Sequence, residues 1–157
     1  MWQRKQTVFL ALAALATLAT WLFPVRTFQV GEQPVQFMTY GIYLSPGVKM
    51  ADAALPVPFH ILFSVMAAVL IVAIFLYKNR PRQIRVVRSA WLIILGLGVF
   101  QFVSGNSIRA YLEQGGRVES SYGISFFIPL LVMALAILAE RGVRADEKLV
   151  RSMDRLR

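Results

Sequence analysis

A single histidine, His60, follows the stretch PVPF. An imidazole can shuttle a proton or ligate a metal. Both uses need company, and no second histidine or close acidic pair accompanies it. His60 therefore reads as a structural residue at a membrane interface. The stretch QFVSGNSIR is richer, with Gln101, Ser104, Asn106, Ser107 and then Arg109. Gln101, Ser104 and Asn106, with Ser125 further on, make a candidate interhelical polar cluster. Such residues hydrogen-bond helices to one another, or they line a pocket for a lipid or a quinone. At the end of the chain, Glu140 precedes Arg144 and Glu147 precedes Arg151. Each acid-before-base pair at this spacing stabilises a helix by about 0.2–0.5 kcal/mol. Nucleophilic, phosphate-cradling and zinc chemistry have no foothold, because no serine elbow, P-loop or zinc motif is present. The absence of cysteine removes thiol catalysis and disulfides.

These residues sit among four apolar runs, at about 7–23, 57–77, 89–108 and 122–139. Hydrophobic residues make up 57% of the 157-residue chain and charged ones only 16%. A water-soluble chain this small could not hide so much apolar side chain. A helix needs roughly 20 residues to cross the hydrocarbon, and the runs fall near that length. Strand-like alternation is missing from them, so the reading is an all-α membrane protein with four transmembrane helices. The first run exceeds the usual length of a signal-peptide core and ends in Trp21 and Phe23, which suit an interfacial belt. It is read as a retained span. No run carries an acid, lysine or arginine at its centre, which argues against a proton relay, a coupled transporter or an enzyme.

The formal net charge of +9 is unevenly placed. Thirteen of the seventeen basic residues lie at the N-terminus, in the 78–88 link KNRPRQIRVVR, or in the 140–157 tail. The positive-inside rule puts these segments, and both termini, in the cytoplasm. The link is expected to be a tight turn broken at Pro81, with Lys78, Arg80, Arg82, Arg85 and Arg88 as candidate binders of anionic lipid headgroups. Nucleic acid is not expected as a partner.

The outer loop, 24–56, carries two short extended runs around Gly31-Glu32 that read as a β-hairpin. The tail reads as an amphipathic helix with an apolar stripe of Ala145, Leu149, Met153 and Leu156, and Gly142 as the place for a bend. The stripe has two destinations, the inner leaflet or the 78–88 turn on one reading and a cytoplasmic partner on the other, and the acids weaken simple attraction to anionic lipid. Arg144, Asp146, Glu147, Leu149, Arg151, Met153, Asp154 and Arg155 are therefore candidates for contact with a cytoplasmic or membrane protein partner.

The opening MWQRKQTVFLALAA, the link YKNRPRQIRVVR and the ending VRADEKLVRSMDRLR resemble a domain-of-unknown-function family of small four-span bacterial inner-membrane proteins. The resemblance spans the whole chain and is most specific in the link and tail. It implies four spans with both ends inside, and it supplies no activity, cofactor or catalytic residue. The combined expectation is a non-enzymatic accessory or scaffold protein of the inner membrane with a cytoplasmic recognition surface. The alternative is a lipid- or quinone-binding protein built on the polar cluster between spans three and four.

Overall fold

Four helices arise where the apolar runs lie. They are α1 (Gln3–Ala19), α2 (Phe59–Phe75), α3 (Arg80–Glu113) and α4 (Ile124–Asp154). The computed structural model describes residues 3–31, 33–44, 47–50 and 57–154. The helices form a ring in which α1 packs on α2 and α4, and α3 packs on α2 and α4. Small side chains such as Ala13, Ala14, Ala136 and Ala139 are buried in the bundle and allow close backbone approach. The outward faces are also apolar, with Ile61, Val65, Val72, Leu92, Ile93, Leu130 and Leu131 exposed. Water-facing helices show the opposite pattern.

Among the described residues three segments are long and apolar enough to cross a membrane: Phe59–Lys78, Arg80–Glu113 and Ile124–Val150. They mark a multi-pass membrane protein. The helix α1 has 17 residues, about 25 Å at 1.5 Å per residue, against roughly 30 Å of hydrocarbon.

The fold is not all-α. Among the described residues five antiparallel strands form a sheet at one end of the bundle: β1 (Arg26–Val30), β2 (Gln33–Met38), β3 (Gly41–Leu44), β4 (Val48–Lys49) and β5 (Val118–Tyr122), in the order β4-β3-β2-β1-β5. The expected hairpin is present as β1–β2, with Arg26 opposite Phe37. Gly31, at φ 61°, supplies the left-handed turn residue, while Glu32 lies outside the described residues. The strand β5 comes from the α3–α4 connection and pairs with β1, Arg26 opposite Tyr122. The sheet therefore ties the α1–α2 connection to the α3–α4 connection. Phe28, Val35, Phe37 and Val118 alternate inward onto the helix ends, which is why these strands are half apolar.

At the opposite end the chain reverses through a 3-10 turn, Leu76–Lys78. Residues 80–88, expected to belong to that turn, are helical. The Asn79 side chain accepts a hydrogen bond from the Arg82 backbone N–H at 3.3 Å, and Pro81 sits in the first turn. Proline is favoured there because its missing N–H has no intrahelical partner to lose. The helix α4 likewise runs through Gly142 to Asp154. A Cβ at Gly142 would lie 2.8 Å from Gln6 Cγ, so this glycine admits the side chain of α1.

Candidate functional site: a cleft at the helix ends

The start of α1, the later part of α4 and the α2–α3 reversal meet at the end of the bundle away from the sheet. A carboxylate organises each of two neighbouring positions there. Glu140 is 5% exposed. Its Oε1 accepts from Arg88 Nε at 3.0 Å, from Arg88 Nη2 at 2.8 Å and from Arg144 Nη2. Its Oε2 accepts from Trp91 Nε1 at 3.0 Å. Glu140 thus fastens α4 to α3, and the expected Glu140–Arg144 pair forms.

One turn and a half further, Asp146 is 8% exposed and its Oδ2 accepts from Gln6 Nε2 at 2.7 Å. Beside this pair lies a cleft of about 550 Å³, lined by Gln6, Thr7, Val8, Ile74, Phe75, Tyr77, Arg80, Gln83 and Asp146. Gln83 is buried and donates to the Ala73 carbonyl at 2.9 Å, satisfying a helix-end oxygen of α2. Arg80 donates to the Asp146 backbone carbonyl at 3.4 Å. The floor is polar and buried, whereas Val8, Phe75 and Tyr77 at the mouth are exposed. A second hollow of about 420 Å³ at the sheet end is polar, with Arg109, Glu113, Arg117 and Glu119 around it.

A family model covers residues 2–156. The chain belongs to DUF4293, a domain of unknown function. No curated protein matches it. The family's description names no chemistry.

The residues expected as a polar cluster between α3 and α4 have separate hydrogen-bonding surroundings. Gln101 is 1% exposed and its amide nitrogen and oxygen have no hydrogen-bond partner among the described residues. Ser125 is buried and donates to the Thr20 carbonyl at 3.0 Å, and Thr39 Oγ1 donates to the same oxygen at 3.3 Å. Together they cap the end of the first helical segment. Ser104 is half-buried, and Asn106 is exposed on α3. Asn106 Oδ1 accepts from Arg26 Nη1 at 2.8 Å. Pro129 faces Gly98, where an added Cβ would lie 3.1 Å from the proline Cβ.

Arg26 carried no signal in the sequence beyond its charge. It is 4% exposed, donates also to Ser120 Oγ at 2.8 Å, and lies 4.6 Å from the Tyr122 ring centroid. Gly105 on α3 makes room for it, 3.5 Å from the arginine Cδ to an added Cβ. This guanidinium pins the sheet to α3 and forms no ion pair among the described residues. His60 is half-buried with its ring edge-on to Trp21 at 5.6 Å, and Trp21 in turn lies 6.4 Å from Tyr40. Among the described residues no group of three His, Cys, Asp or Glu side chains is placed to hold a metal.

Of the proposed tail contacts, Asp146 is turned inward onto Gln6, Arg144 is engaged with Glu140, and Glu147 is half-buried. Leu149 is 59% exposed. The side chains of Arg151, Met153 and Asp154, and all of Arg155 and Leu156, lie outside the described residues. Of the headgroup candidates, Lys78, Arg82 and Arg85 are exposed, Arg80 lines the cleft and Arg88 binds Glu140.

Proposed function

We propose that the chain is an integral protein of a bacterial inner membrane, crossing it four times with both termini in the cytoplasm. In this reading it acts as a non-enzymatic accessory or scaffold protein. The topology is supported by the crowding of basic residues at the end of the bundle that carries the termini. The exposed Trp21, Leu22 and Phe23 after α1 extend that helix's apolar length toward the sheet end. They support counting α1 as a crossing.

One observation carries the scaffold reading. At 31 residues α4 is about 46 Å long, some 16 Å more than the hydrocarbon it crosses. The overhang presents Ala145, Leu149 and Val150 as an exposed apolar face, flanked by the exposed Lys148. The proposed occupant is an apolar strip of a protein partner with acids at its rim, while Lys78, Arg82 and Arg85 rest on anionic headgroups. The test leaves Val143 and Asp146 in place, because both are buried. Full-length Leu149→Ser/Val150→Ser protein should insert and fold as wild type and lose a stoichiometric copurifying protein. Identical copurification from the two proteins would refute the role.

A further inference from the structure

Arg80 and Asp146 share one cleft without forming an ion pair. Among the described residues the Asp146 carboxylate accepts one hydrogen bond, from Gln6, although a carboxylate has about four acceptor sites. The Arg80 guanidinium makes one long bond, to a backbone carbonyl. Among the described residues no ion pair within 4.0 Å joins the guanidinium to the carboxylate. A base and an acid held apart in the same hollow are complementary to a molecule that carries both charges itself. Thr7, Tyr77 and Gln83 also line the cleft, and its apolar part is Val8 from α1 with Ile74 and Phe75 from α2. Val8 and Phe75 are exposed, so the mouth opens sideways between α1 and α2, along the faces that meet lipid. The cleft lies where the apolar runs give way to polar sequence, the depth at which headgroups sit. Its volume, about 550 Å³, falls within the roughly 300–1,000 Å³ of small-molecule sites.

We propose that this cleft binds an aminophospholipid, with the primary ammonium on Asp146, the phosphate on Arg80 and the start of one acyl chain along Val8, Ile74 and Phe75. The chemistry sets the selectivity. A primary ammonium has three N–H donors for a carboxylate. The quaternary ammonium of a choline lipid has none. A glycerol headgroup brings no cation, so it leaves a buried carboxylate facing a second anion. Arg80 supplies a planar fork suited to phosphate oxygens. The site depends on neither the orientation in the membrane nor the protein partner proposed above.

The test uses the full-length protein, delipidated in detergent and exposed to equal amounts of phosphatidylethanolamine, phosphatidylcholine and phosphatidylglycerol, with native mass spectrometry as readout. One phosphatidylethanolamine should be retained at least about tenfold above the other two, the effect of one charge-assisted hydrogen bond. Asp146→Asn keeps an acceptor for Gln6 and should erase the preference for ethanolamine over choline. Arg80→Gln, at the rim of the bundle, should weaken both lipids alike. Val8→Trp, which fills the mouth, should abolish retention while leaving the unfolding transition in place. Glycerophosphoethanolamine, which lacks acyl chains, should bind far more weakly than the intact lipid. Equal retention of the three lipids, a preference for phosphatidylglycerol, or an undiminished preference in Asp146→Asn would overturn the proposal. So would a Val8→Trp protein that keeps its lipid.

Discussion

Glu140→Gln is the most informative single change. It keeps the side-chain shape and removes the charge from a site that receives four hydrogen bonds. The Glu140 side chain is 7% exposed, but Arg88 and Arg144 are 46% and 50% exposed, so both keep much of their hydration. Each half-exposed pair is therefore worth about 0.5–1 kcal/mol rather than the value of a buried bridge. The second oxygen contributes differently. With an amide in place, one N–H face must point at a donor, either the Trp91 indole or an arginine, and an unsatisfied donor costs about 1–3 kcal/mol. Adding these, Glu140→Gln is expected to destabilise the protein by about 2–5 kcal/mol. Equilibrium unfolding in mixed micelles, followed by tryptophan fluorescence, measures it. In the same assay Arg88→Gln should cost about 0.5 kcal/mol or less once Glu140 is Gln, because their energies are shared. A Glu140→Gln protein within about 0.5 kcal/mol of wild type, or strict additivity with Arg88→Gln, would refute the fastening role.

Three further outcomes are expected. Gly123→Ala would place a Cβ 2.0 Å from the Pro24 carbonyl oxygen, backbone against backbone, so it should destabilise by about 3 kcal/mol or more and lower folded yield. Gly96→Ala, with nothing within 4 Å, is its control and should gain up to about 1 kcal/mol from helix propensity. Gln101→Leu should unfold at or above the wild-type temperature, because it removes two buried amide atoms that have no partner. A clear loss of thermal stability would show that Gln101 is satisfied by a group not yet recognised. The chain lacks cysteine, so single cysteines report topology directly. Lys49→Cys and Ser152→Cys both lie at exposed positions. The first should react with an impermeant maleimide in intact spheroplasts, and the second only after permeabilisation.

The helices were legible because each apolar run is long and bounded, as in VPFHILFSVMAAVLIVAIFLY, where only one secondary structure fits lipid. The β1–β2 hairpin was legible from Gly31 and its extended flanks. The strand β5 was not. RVESSY is mostly polar, and it becomes a strand because β1 offers it an edge from the far end of the sequence. Pro81 misled for a local reason: it stops a helix in the middle and favours one at its first turn, and Asn79 decides between the two. The cleft escaped for the same non-local reason as β5. Gln6 and Asp146 are 140 positions apart, and only their polarity on otherwise apolar faces hinted at a meeting. Asp146 read as a tail acid offered to a protein partner because the space that Gly142 leaves for α1 cannot be seen in one dimension.

The β1–β5 pairing also sets a calendar for assembly. Arg26 and its partner Tyr122 are separated by roughly a hundred residues, which a ribosome adds in about 5–20 s. Through that interval β1 has β2 on one side and an open edge on the other. An open edge is a template for whichever strand arrives first. Only when α2 and α3 have been threaded can β5 reach it, so the closing strand certifies that the preceding crossings were completed. Two chains inserted side by side could each lend the other this strand, and a swapped dimer would be the natural product of crowded synthesis.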